Sequence, residues 1–154
     1  MLVYVLRHGK AARQDPEGPP SLTAGGREEV NRVAEHFRGK KLKINTLWHS
    51  PKTRAVQTAE IVLKTLADPS IEVEEKKGLE PEGDAEEIFE EINRFKDVSL
   101  MLVSHLPLVG DLASRLAGNS PHPLLVFPTA GLVAFERTGK TWKWLWALDP
   151  SELD

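Results

Sequence analysis

The chain has 154 residues, 40% hydrophobic and 28% charged, with a formal net charge of −3 and no cysteine. That length and balance fit one globular domain with a sizeable core, here expected to span residues 1–154. They exclude disulfides, thiolate metal sites and cysteine nucleophiles, and they argue against a polyanion-binding surface such as a nucleic acid partner would need.

In chain order, Leu2–Leu6 is a short apolar run that reads as a buried strand. It is too short for a spanning helix or a signal-peptide core, so no membrane partner is expected and the chain is placed in the cytoplasm. A Pro/Gly-rich loop comes next, Asp15 to Pro20. Thr23 then caps a helix from Ala24 to about Phe37, with Val30, Val33, Ala34 and Phe37 as its apolar stripe. Thr46–His49 is a second strand. Ser50 and Pro51 read as N-cap and first position of the next helix, whose inner face is Ala55, Ala59, Val62, Leu63 and Leu66.

Ile71–Glu74 reads as an edge-like strand, Gly78–Asp84 as a loop and Ala85–Phe95 as an acidic helix. Ser99–Val103, nearly all apolar, reads as a central strand. Leu106-Pro107 opens a helix that ends near Gly118. From Thr129 the pattern becomes a hairpin, turning at Thr138–Lys140 and carrying Trp142, Trp144 and Trp146 on one face. Strands alternating with helices predict an α/β fold: a three-layer α-β-α sandwich around a mostly parallel sheet, with a C-terminal antiparallel hairpin.

In such sheets ligands bind beyond the carboxyl ends of the strands. Three segments fall there: Arg7-His8-Gly9, Ser50 to Arg54, and Ser104 to Pro107. Lys52 and Arg54 oppose the positive end of their helix dipole, which a bound anion would reverse. Arginine forks match phosphate oxygens. Gly9 allows a sharp turn and leaves its carbonyl free to accept from one nitrogen of His8, presenting the other as a nucleophile. His49 and His36 have no role on this reading, His122 is a candidate pocket residue, and the histidine spacing gives no metal signal. Lys10 and Arg13 come just after the first segment and suit either the surface or an acidic partner. The three tryptophans read as packing.

These segments resemble the motifs of the histidine phosphatase superfamily. Arg7-His8-Gly9 is similar to its signature, Ser50-Pro51 with Arg54 and Thr58 to its S-P-x-x-R-x-x-x-T pattern, and Ser104-His105 to its third motif. Within the superfamily the chain most resembles the SixA-type phosphohistidine phosphatases. It shares their small size, the Leu22-Thr23…Gly26 segment, Leu79–Asp84, and Ser104–Gly110. The resemblance implies that His8 becomes phosphorylated, that Arg7, Arg54 and His105 bind the phosphoryl group, and that water then releases phosphate, with no metal or other cofactor.

Larger members protonate the leaving group with an acid from an inserted lid, for which this chain has no room. Glu80 is the first choice for that acid, with Glu82 and Asp84 in the same loop. A weak acid suits phosphohistidine, because an imidazole leaves phosphorus more readily than an alkoxide. The expected substrate is therefore a phosphohistidine-bearing protein or, alternatively, a small phosphorylated molecule handled by a phosphomonoesterase or pyrophosphohydrolase. A mutase needs an enclosing lid. A non-catalytic phosphoprotein-binding module would not need both His8 and His105.

Overall fold

A computed structural model describes residues 1–13, 18–118 and 127–153. The first apolar run forms β1 (Leu2–Arg7). Two short strands for which the sequence gives no strand signal, β2 (Ala11–Arg13) and β3 (Pro20–Leu22), pair as a separate antiparallel ribbon. Then come α1 (Ala24–Gly39), β4 (Thr46–His49), α2 (Thr53–Leu66) and β5 (Glu72–Glu75). The second half holds α3 (Ala85–Arg94), β6 (Ser99–Ser104), α4 (Leu108–Ala117), β7 (Leu132–Thr138) and β8 (Thr141–Leu148), closed by a 3-10 turn at Pro150–Glu152.

The main sheet runs β5-β4-β6-β1-β7-β8. β5, β4, β6 and β1 are parallel, and the β7–β8 hairpin adds antiparallel to β1. Side chains alternate across the sheet with the two-residue period of a strand. Tyr4, Leu6, Met101 and Val103 meet Val30, Phe37, Ala55 and Val62 of α1 and α2. Val3, Val5, Leu100 and Leu102 meet Ile88, Ile92, Leu108 and Leu112 of α3 and α4. This is the expected three-layer arrangement. All six residues of β6 are buried, as its sequence implies for a central strand, whereas β5 is exposed throughout and carries three glutamates that discourage edge-to-edge pairing. Among the described residues no helix is long and apolar enough to cross a membrane.

Caps explain several helix starts. Thr23 Oγ1 accepts from Gly26 N–H, and the Asp84 carboxylate accepts from the N–H groups of Glu86 and Glu87. Three local expectations are corrected. The cap of α2 is Lys52, not Ser50, and Pro51 precedes the helix. The Ser50 hydroxyl accepts from Lys52 N–H and lies beside His105 Nε2, and the helix starts at Thr53. Similarly, Pro107 occupies the cap of α4 and the helix begins at Leu108.

The third correction concerns the tryptophans, which do not share one face. A bulge in the β7–β8 ladder sets Ala134 opposite Trp146 but Phe135 opposite Trp144. The extra residue on β8 reverses the side-chain alternation. Trp142 and Trp144 therefore pack on the α3/α4 side, while Trp146 packs on the α1/α2 side, 6.1 Å from the Tyr4 ring.

Candidate active site

Because β1, β4 and β6 are parallel, their carboxyl ends share one rim. Backbone pairing continues past the strand ends and fixes the first residue of each loop beyond them. His8 N–H donates to Ser104 O at 3.0 Å, and Ser50 N–H donates to Val103 O at 3.0 Å. The three sequence segments are thus laced together through β6, and His8, Arg54 and His105 converge on one spot. The His8 and His105 ring centroids lie 5.0 Å apart. Arg54 Nε–H points at His8 Nε2 across 3.4 Å.

The partners of His8 set its tautomer. Nδ1–H donates to the Gly9 carbonyl at 2.7 Å, which leaves the Nε2 lone pair facing Arg54. Gly9 is held in turn: its N–H donates to Thr58 Oγ1 at 3.0 Å, and the Thr58 hydroxyl donates to Arg54 O at 2.8 Å. Thr58 is fully buried. One threonine on α2 therefore orders both the loop that orients the imidazole and the turn that bears the guanidinium. Thr58 was visible as part of the sequence pattern, but its contact with Gly9 was not, since the two are far apart in the chain. The need for glycine at position 9 comes from packing against α1 as much as from access to a ligand. A Cβ there would lie 2.6 Å from Val30 Cγ2 and 3.1 Å from Gly26 O.

Arg7, at the end of β1, donates through an Nη1–H to the Phe127 carbonyl at 2.7 Å, while its buried Nε–H has no protein partner among the described residues. His105 Nε2 lies 2.8 Å from Ser50 Oγ, and its buried Nδ1 has no protein partner among the described residues. Arg7, Arg54, Lys52 and the two imidazoles thus gather donors and positive charge around one point. That suits a tetrahedral anion.

The candidate acids sit differently. Glu80 comes directly after Leu79, whose carbonyl accepts from the Ser104 hydroxyl, so the loop is tied to the residue before His105. Its own carboxylate accepts from Gly78 N–H at 2.8 Å within the same turn. Asp84 is occupied as the α3 cap, and Glu82 is exposed. His49 ends β4 with its Nδ1–H donating to Ser50 O at 2.9 Å. His36 is half-buried on α1. His122 lies outside the described residues.

Both site imidazoles are pushed well below the ordinary histidine value of 6.5. His8 falls to about 4, chiefly through burial and further through the charges of Arg54 and Arg7, against which the Gly9 carbonyl acts. His105 falls to about 3, through burial and then the charges of Arg54, His8, Lys52 and Arg7. At neutral pH His8 is therefore a free base with an available lone pair.

These depressed values bear on stability. Below pH 6.5 the unfolded chain binds protons that the folded rings refuse. Unfolding free energy must then drop as pH falls from about 6.5 toward 4, at no more than about 1.4 kcal/mol per pH unit from His8. An anion between the rings favours their charged forms. Urea melts at pH 7, 6 and 5 should show this acid loss, and saturating tungstate should shrink it. A flat profile without tungstate would contradict the depressed values.

The family model of the histidine phosphatase superfamily (branch 1) matches residues 3–96. The chain is 32% identical over 151 residues to phosphohistidine phosphatase SixA of Escherichia coli (strain K12), covering 94% of this chain and 92% of that protein. It is 28% identical to a SixA homolog of Haemophilus influenzae, covering 83% and 84%. The structure of the protein histidine phosphatase SixA complexed with tungstate superposes with a TM-score of 0.87 at 30% identity, covering 99% of both chains. The shared fold, the extent of the family match and the identity across nearly the whole chain agree with the three sequence motifs: the chain belongs to the histidine phosphatase superfamily.

Proposed function

We propose that this protein is a metal-independent cytoplasmic phosphatase that removes the phosphoryl group from phosphohistidine on another protein, through a phosphohistidine intermediate on His8. The observation that carries the reading is the pairing at His8: Nδ1–H is committed to the Gly9 carbonyl, and the Nε2 lone pair faces Arg54 in a cation-lined site. The similarity to SixA across both chains supports the choice of substrate.

The proposed steps follow from that geometry. Arg7, Arg54 and His105 hold the phosphoryl oxygens and stabilise the charge that builds on them during transfer, where most catalysis of this reaction arises. The His8 Nε2 lone pair bonds to phosphorus as the substrate's P–N bond breaks, and the departing imidazole takes up a proton. Water then attacks the phosphorus on His8, the P–Nε2 bond breaks, and inorganic phosphate leaves. The arginines supply the positive charge that a metal would otherwise bring, and His105 adds a hydrogen-bond donor.

The loop acids fit a substrate with a good leaving group. Glu80 and Asp84 both serve local backbone N–H groups, which leaves neither committed to proton delivery. We assign Glu80 as the first candidate donor because its loop is tied to Ser104 through Leu79. An imidazole nitrogen needs less help from an acid than an alkoxide does.

The test is a phosphoenzyme trap with a substrate panel. After incubation with a labelled phosphoryl donor and a quench, the protein should carry acid-labile, base-stable label. Phosphohistidine protein should turn over faster than sugar phosphates or nucleotides. The reverse order would transfer the assignment to a small-molecule phosphatase, and tight binding without label or turnover would indicate a phosphoprotein-binding module.

A further inference from the structure

Ser50 has a hydrogen-bonding position that its lost role as a helix cap does not explain. Its side chain is fully buried, and His105 is 1% exposed. Ser50 Oγ accepts from Lys52 N–H at 3.1 Å and lies 2.8 Å from His105 Nε2. A hydroxyl has one hydrogen to give. If His105 carried its proton on Nε2 and donated to Ser50, the buried hydroxyl hydrogen would have no acceptor among the described residues. The buried Nδ1 would then present a lone pair with no donor there either. With the hydroxyl donating to Nε2, the chain Lys52 N–H to Ser50 Oγ–H to His105 Nε2 satisfies every member. Nδ1–H is then the one group left over.

We infer that Ser50 is a positioning residue that holds neutral His105 in its Nδ1–H form, so that His105 meets a phosphoryl oxygen as an N–H donor rather than as a lone pair. A lone pair turned toward an anionic oxygen would repel it, whereas a preset donor stabilises it without reorganisation in the transition state. Burial and the surrounding cations keep the ring neutral, which is what makes its tautomer matter. His8 and His105 thus have their protons placed by different partners, a backbone carbonyl for one and a side-chain hydroxyl for the other. The inference deepens the phosphatase reading and depends on it only for the identity of the anion.

The experiment is nitrogen NMR on the ligand-free, 15N-histidine-labelled protein, together with a tungstate titration. Wild type should show His105 as the Nδ1–H tautomer. Ser50→Ala should shift His105 toward Nε2–H, leave His8 as Nδ1–H, and weaken tungstate binding about tenfold, the usual scale for one misplaced buried hydrogen bond. An Nε2–H tautomer at His105 in wild type overturns the inference whether or not the variant folds. So does a Ser50→Ala protein that melts earlier yet keeps its tautomer and tungstate affinity, since that marks a merely structural serine. Neither readout needs turnover. A failed phosphoenzyme trap alongside the expected spectra would therefore defeat the phosphatase reading and leave the role of Ser50 standing.

Discussion

His8→Ala is expected to abolish the labelled phosphoenzyme and to lower turnover by about 10⁴-fold or more, the scale on which enzymes lose activity when a covalent nucleophile is removed. The alanine keeps the backbone N–H that pairs with Ser104 O, so the ladder joining the β1 and β6 ends should persist. It removes the only side-chain atom that faces Arg54 Nε at hydrogen-bonding range among the described residues. Single-turnover labelling on wild type and variant reads the effect directly. Label of equal intensity on the alanine protein would reject His8 as the nucleophile. A variant that loses label but still binds tungstate would separate the attacking group from the groups that hold the anion.

Arg54→Ala should cost about 10²–10³-fold in kcat/KM, the scale for deleting one preorganised donor to a transition-state oxyanion. Two further effects are expected. Tungstate should bind more weakly, because a guanidinium fork is lost from the anion seat. The pKa of His8 should rise from its depressed value, because the Arg54 charge is one of the causes holding it down, after burial. The acid side of the pH–rate profile would then move toward neutrality. Arg54→Lys should restore little, since an ammonium cannot offer a planar pair of donors while its stem packs differently. Steady-state kinetics across pH check all of this. A loss smaller than tenfold, or full rescue by lysine, would remove Arg54 from the oxyanion seat.

The layered architecture was legible because it rests on local patterns. The continuous apolar runs of β1 and β6, the stripes of α1 and α2 and the capping residue Thr23 each act within a few residues of chain. The candidate site was legible for a related reason. Strands joined by helices run parallel, so the residues just beyond them share a rim however far apart they lie in sequence. His8, Arg7, Arg54 and His105 were placed together on that ground, and the structure draws them into one cluster. The Gly9 carbonyl was expected as the His8 partner because only adjacency is required, and the two sit at 2.7 Å.

The hidden features depend on contacts between distant segments. Ser50 has the local features of a helix cap, and nothing near it reveals that its hydroxyl meets an imidazole 55 positions later. The β8 tryptophans alternate in sequence, but a bulge set by pairing with β7 sends Trp146 to the opposite layer. The short β2–β3 ribbon lacks an apolar pattern of its own and forms where its ends are brought together beside α1 and α2. Sequence by itself therefore determined the elements, their layers and the chemistry gathered on one rim, because periodicity and connection length act locally. Apart from the adjacent Gly9 carbonyl, only the tertiary structure decided which hydroxyl or backbone group each site residue leans on, because a hydrogen bond depends on angstrom-scale approach between chain segments that no local pattern encodes.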